Sequence, residues 1–183
     1  MIALGIDPGS TSFGYSVVSY SKKMQPKVLE TGTLTNTVRS LVKAEDPEAQ
    51  AILFSNEVDS IIIRHKVKRV AAERYQNRGI KGSQIELVSM MLAKFLYDSM
   101  YEGVPITFVT AAQWKNRINR VHDLKQMYVD GKMLKIEPHE IDASLIAMYD
   151  GCNLYGLEHF HFMTETKSLL ANIQKVSINV RGK

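Results

Sequence analysis

The sequence predicts an α/β domain in which helices pack on a five-stranded mixed sheet, and three observations carry that expectation. Three short strand-like segments stand at the start of the chain with turns between them, as in an antiparallel meander. Beyond residue 46 helical and strand-like patterns alternate, the order that lays helices on a sheet. The 183 residues, 45% of them hydrophobic, suit one domain, and at this size about 70% of the unfolded surface can be buried without a disulfide or structural metal.

Ile2-Ala-Leu-Gly-Ile-Asp7 is an apolar run that stops at Pro8, Gly9 and Ser10, the pattern of a buried strand. Phe13 to Tyr20, rich in Val and Tyr, reads as the second strand, and Val28 to Leu34 as the third, after a turn at 22–26. Asp46-Pro47-Glu48 supplies an N-cap, a proline at the first helical position and an early acid. The helix it opens repeats apolar residues at Ala51, Phe54, Val58, Ile61 and Ile62. Val67 to Ala72 is a fourth strand running into Glu73, and residues 81–101 form a helix with Ile85, Val88, Met91, Leu92 and Phe95 on one side.

Val104 to Val109 is the fifth strand, after which Thr110 caps a helix at 111–118. A helix near 123–130 and another from Pro138 to Asp150, ended by Gly151, complete the body. Residues 1–150 are thus read as the working domain and 151–183 as its C-terminal extension. In the extension a helix around 164–174 and a strand-like or disordered end both fit the pattern.

Cys152 is the one cysteine, which leaves no disulfide framework and no thiolate zinc cluster. The start lacks the basic region of a signal peptide, and no apolar stretch nears the roughly 18 residues of a membrane span. A soluble protein of a reducing compartment is the expectation. The net charge of +4 is unevenly spread. Residues 1–60 hold 5 Lys/Arg against 7 Asp/Glu (−2), residues 61–135 hold 14 against 6 (+8), and residues 136–183 hold 4 against 6 (−2). A basic middle segment fits a polyanionic partner or a solvated lysine-rich face.

Four groups stand at the ends of these elements. Asp7 closes the first strand, where it is either a turn cap or a carboxylate held rigidly at a cleft. Glu73 closes the fourth; there it pairs with Arg74 or binds something, since a lone buried carboxylate is costly. His139 and Asp142, three apart, share a face of the helix from Pro138, where helix-end capping would also explain them. Glu140 points roughly 100° away from His139 and is expected in solvent. Three carboxylates and an imidazole without cysteine suit Mg²⁺ or Mn²⁺ rather than zinc. Two such ions about 4 Å apart promote phosphodiester hydrolysis.

Gly5-Ile-Asp7-Pro-Gly9-Ser-Thr-Ser-Phe-Gly14-Tyr15 resembles the first motif of the RuvC family of Holliday junction resolvases. Ala71-Ala-Glu73 resembles its second acidic site, and His139-Glu-Ile-Asp142-Ala-Ser-Leu-Ile-Ala147 its last motif. The order and spacing of all three fit over about residues 2–150. The resemblance implies an RNase H-like fold, and a homodimer whose two centres nick opposed strands of a four-way DNA junction in a paired, symmetric way. It also implies two Mg²⁺ ions per site, replaceable by Mn²⁺, with Asp7, Glu73, His139 and Asp142 as ligands and His139 helping to orient or deprotonate the water. Lys115 and Lys125 match the family's basic positions after the fifth strand. Lys125 would face the scissile phosphate, though a solvated helix lysine reads the same way.

The sequence departs from the family at Ser16, where glycine is common, and in the Met-, Leu- and Ile-rich stretch Gln84 to Phe95. These departures suggest a divergent branch, of the kind a phage encodes. The loop Arg74-Tyr-Gln-Asn-Arg78-Gly79-Ile-Lys81-Gly82 is rich in Arg and Lys. Arg74, Arg78 and Lys81 are candidate phosphate contacts. Tyr75 is a candidate for stacking on an unpaired base, or else a cover for the sheet edge. Trp114 reads as core, and Met90, Met91 and Met100 as a core or dimer stripe. The same motifs also allow a less selective debranching nuclease on forks and flaps, or an RNase H-like nuclease on RNA. A kinase or chaperone-type ATPase would need a second Asp-x-Gly-Thr loop, which the sequence lacks.

Overall fold

The computed structural model describes residues 1–8, 13–21, 26–34, 47–74, 93, 94, 97, 103–120, 122–156 and 166–181. β1 (Ile2–Asp7), β2 (Phe13–Ser19) and β3 (Lys27–Leu34) form the expected antiparallel meander. β4 (Arg69–Glu73) lies parallel to β1 and β5 (Ile106–Val109) parallel to β4, so the sheet order is β3-β2-β1-β4-β5. β5 is shorter than expected. Pro105 has no N–H to give the ladder, and only its carbonyl bonds, accepting from Val70 N at 2.9 Å.

Helices cover both faces. On one, Val58 and Ile61 of α1 (Pro47–His65) pack with Leu4, Ile6, Phe13, Tyr15, Val17, Val70 and Ala72. On the other lie α2 (Ala111–Ile118), α3 (Leu124–Met133), α4 (Pro138–Leu154) and α5 (Thr166–Arg181), around Trp114, Met127, Ile141, Leu145 and Leu170. The helix expected at 81–101 lies outside the described residues, except for 93, 94 and 97, which are helical.

Strand alternation fixes which side chains can meet α4. Leu4 and Ile6 face α1, so Gly5 and Asp7 face α4. Ala71 pairs with Gly5 in the parallel register, which puts Glu73, two residues on, on the same face. The approach of α4 is close enough to exclude side chains. A Cβ on Gly5 would stand 1.9 Å from the Ala143 carbonyl oxygen, and one on Gly14 2.3 Å from that of His139. Ser16 takes part in the same seam: Ser144 Oγ lies 2.8 Å from both Ser16 Oγ and the Glu140 carbonyl oxygen. Donating to that carbonyl, Ser144 accepts from Ser16.

Two expectations are corrected here. Glu140 is 1% exposed, because a helix laid flat on the sheet turns that position inward beside Ser144, four residues on. Nor does Gly151 end the helix: α4 runs on to Leu154. Gly151 is required by packing, since a Cβ there would come 2.9 Å from the Tyr20 ring. The terminating glycine is Gly156, with φ of 64°. The far end of α4 is tied to the sheet by Arg69, whose guanidinium makes a two-pronged contact with buried Asp150 and donates to Thr107 Oγ1 at 2.8 Å. Of the alternatives for the extension, the helix is the one adopted: α5 reaches Arg181 and buries Leu169, Leu170 and Ile173 in the α4-side core.

The Gly5 contact yields a prediction. Gly5→Ala should destabilise the protein by about 1–3 kcal/mol, because the new methyl must push α4 off β1. Urea unfolding measures it, and an unchanged midpoint would contradict the close seam.

Candidate active site

Asp7 and Glu73 project from the same end of two adjacent parallel strands. α4 brings His139 and Asp142 over that end through its first turns. The proline at the helix start, with Glu137 at the N-cap, sets where those turns begin. Asp7 and Asp142 are each 8% exposed and Glu73 is half-buried. His139 Nδ1 lies 2.6 Å from Asp7 Oδ2, joining the first motif to the last.

The acids have protein donors. Trp114 Nε1 donates to Glu73 Oε2 at 2.6 Å, and Lys115 Nζ to Asp142 Oδ2 at 3.1 Å. The Tyr128 hydroxyl donates to Asp142 Oδ1. Burial, then the charge of Asp7, holds the Asp142 carboxyl above its usual range against the pull of Lys115. Burial first, and then the charges of Asp7 and Asp142, do the same to Glu73, whose bond to Trp114 acts in the opposite direction. The His139 imidazole is pushed up by its bond to Asp7, more than burial pushes it down. Burial and the Asp142 charge raise the Tyr128 phenol far enough that it serves as a neutral donor.

Glu73 and Asp142 are therefore raised by burial and, after it, by the charges of the neighbouring carboxylates. The set of three carboxylates suits a hard divalent cation in its chemistry and in its charge deficit. As they stand, no three of the acids and histidines among the described residues are drawn together tightly enough to hold an ion. The oxygens are engaged instead by Lys115, Tyr128, Trp114 and His139.

The structure brings Asp7, Glu73, His139, Asp142 and Lys115 together. Lys125 sits exposed on the first turn of α3, where Asp123 Oδ1 caps its backbone N–H. Arg74 is exposed beyond Glu73, whose partner is Trp114 instead. Tyr75, Arg78 and Lys81 lie outside the described residues, as do Met90, Met91 and Met100. Trp114 and Tyr128 were not anticipated as site residues. For Trp114 a signal was present: Thr110 and Gln113 form a capping box directly after β5, which fixes residue 114 relative to the strand. No local pattern singles out Tyr128.

A family model described as crossover junction endodeoxyribonuclease RuvC matches residues 3–143, from β1 into α4. No curated protein matches the sequence significantly. Among solved structures, that of Thermus thermophilus RuvC superposes with a TM-score of 0.66 at 20% identity, covering 86% of this chain and 98% of that one. T. thermophilus RuvC in complex with Holliday junction substrate gives 0.65 at 20% identity with the same coverage. The yeast mitochondrial Holliday junction resolvase gives 0.55 at 13% identity, covering 98% of this chain and 85% of that one. At these identities the likeness is one of fold, and the fold is RNase H-like.

Burial of Glu73 and, after it, the neighbouring charges make its contribution to stability depend on pH. An acid whose pKa rises on folding takes up protons as the chain folds, so its contribution falls as pH climbs from the unfolded value, 4.5 for Glu73, through the folded one. Glu73→Gln cannot ionise. With chelator present it should exceed wild type in stability at pH 7 by about 0.5–1 kcal/mol, screening at a partly exposed group keeping the gain small. The difference should close below about pH 4. Urea midpoints at the two pH values check it, and a variant less stable at pH 7 would count against that dependence.

Proposed function

The chain belongs to the RuvC family of crossover junction endodeoxyribonucleases, and from that premise we propose that it resolves four-way DNA junctions by paired, symmetric, metal-dependent nicks. The observation that carries the reading is the convergence of Asp7, Glu73 and Asp142, from β1, β4 and α4, with His139 on Asp7 and Lys115 on Asp142. The three acids and His139 would hold Mg²⁺, or Mn²⁺ in its place, at two ions per centre. Such ions make a bound water acidic enough to attack phosphorus and offset charge on the leaving 3′-oxygen.

The chain's own groups supply the rest. With Nδ1 held by Asp7 and the side chain 40% exposed, His139 keeps Nε2 for an ion or for the water that the ion would bind. The Lys115 ammonium stands beside Asp142, where a phosphate oxygen would find a cation. Exposed Arg74 and Lys125 are assigned to the DNA backbone. Arg78 and Lys81 are given the same role, and Tyr75 is assigned to stacking at the crossover. A homodimer would set two centres on opposed strands. The proposed place of action is the cytoplasm of a bacterium or of a phage-infected host.

Labelled four-way junction, fork, flap, duplex and RNA, each with Mg²⁺, Mn²⁺ or chelator, test this. Paired symmetric nicks on the junction are expected. Equal cutting of every branched form would reduce the protein to a debranching enzyme, cutting of RNA would make it a ribonuclease, and no ion-dependent cutting would end the reading. Asp7→Asn should lower cleavage on the order of 10²- to 10³-fold or more. Junction binding in chelator should persist, and its loss would make Asp7 a structural residue.

A further inference from the structure

The chain's one tryptophan touches two members of the centre at once. Its indole Nε1–H meets Glu73 Oε2 at 2.6 Å. Over its ring, 4.8 Å from the centroid, stands the Lys115 ammonium, which also reaches Asp142 at 3.1 Å. Trp114 itself is fully buried. A buried indole N–H needs a hydrogen-bond partner, and here that partner is a carboxylate of the candidate centre.

The local chain explains why the indole is there. β5 pairs with β4 so that Val109 stands opposite Glu73. Thr110 follows as N-cap, its hydroxyl accepting from Gln113 N at 3.3 Å while Gln113 Oε1 accepts from Thr110 N at 2.8 Å. Val109 before the cap and Trp114 at the fourth helical position are both buried in one core cluster, the arrangement of a hydrophobic staple. Box and staple together fix the angle at which α2 leaves β5. The indole is thereby held at a set place relative to Glu73 one strand away. Glu73 has three rotatable bonds and could otherwise swing toward solvent.

We propose that Trp114 is a positioning residue of the centre: its N–H holds the Glu73 carboxylate toward Asp7 and Asp142, and its ring face holds Lys115 against Asp142. The inference rests on the nuclease reading above, because positioning matters only if Glu73 is a ligand. It assigns Trp114 no contact with substrate.

Two replacements separate the N–H from the packing. Trp114→Phe removes the donor and part of the ring. Biosynthetic replacement of tryptophan by benzothienylalanine removes only the donor and, with one tryptophan in the chain, alters no other position. Mn²⁺ affinity, read from the paramagnetic resonance of the unbound ion, should fall about 10- to 100-fold in both. Single-turnover junction cleavage should fall with it, while junction affinity in chelator stays at the wild-type value. The benzothienyl protein should keep the wild-type circular dichroism and fold cooperatively, so that its loss reports the hydrogen bond and not the packing. Wild-type Mn²⁺ affinity in the benzothienyl protein overturns the role of Trp114 and leaves the nuclease reading standing. A wild-type protein that neither binds Mn²⁺ nor cuts overturns both.

Discussion

Helix α4 lies on β1 and β2 at backbone contact, and the candidate centre depends on that seam. Two glycines make it possible: Gly5 under Ala143 and Gly14 under His139 leave no room for a side chain. With the seam closed, the start of α4 falls over the ends of β1 and β4, and His139 and Asp142 meet Asp7 and Glu73. A side chain at either glycine would lift the helix and part the acids. The Arg69–Asp150 contact and the Tyr20 ring under Gly151 hold the other end of the same helix. One helix is thus pinned along its length by groups that take no part in the chemistry proposed for its first turns.

The seam brings like charges together, and the structure shows what offsets them. Burial first, and then the neighbouring carboxylates, push Glu73 and Asp142 upward toward the protonated form. Lys115, Tyr128 and Trp114 supply donors but only one positive charge. A hard divalent ion would supply more in less space. Trp114 is buried and Tyr128 partly so, and both are rigid groups, so they order the acids at small entropic cost.

Much of this was legible in the sequence. Strands β1 to β4 follow from apolar runs closed by turn residues, and Asp7 and Glu73 stand where those runs stop. The i, i+3 spacing of His139 and Asp142 gave their common helix face directly. What escaped was set by contacts distant in sequence. Trp114 looked like core and is core, yet its N–H finds an acid 41 residues away. Tyr128 reaches Asp142 because α3 packs against α4. Glu140 looked like a solvated acid from its angle to His139, but that angle cannot tell which side of a helix meets a sheet. Gly151 carried the signature of a stop, and only the Tyr20 ring beneath it shows why the glycine is there without one.

Asp7, Glu73 and Asp142 are proposed to form one centre that a divalent cation completes. The most direct measurement is the melting temperature of the free protein against Mg²⁺ or Mn²⁺ concentration. An ion that binds only the folded centre must stabilise it by mass action, by about 2.7 kcal/mol at a hundredfold excess over its dissociation constant. A concentration-dependent rise is expected in wild type, with near disappearance in Asp142→Asn. A wild-type protein indifferent to the ions, or an equal rise in the variant, would contradict it.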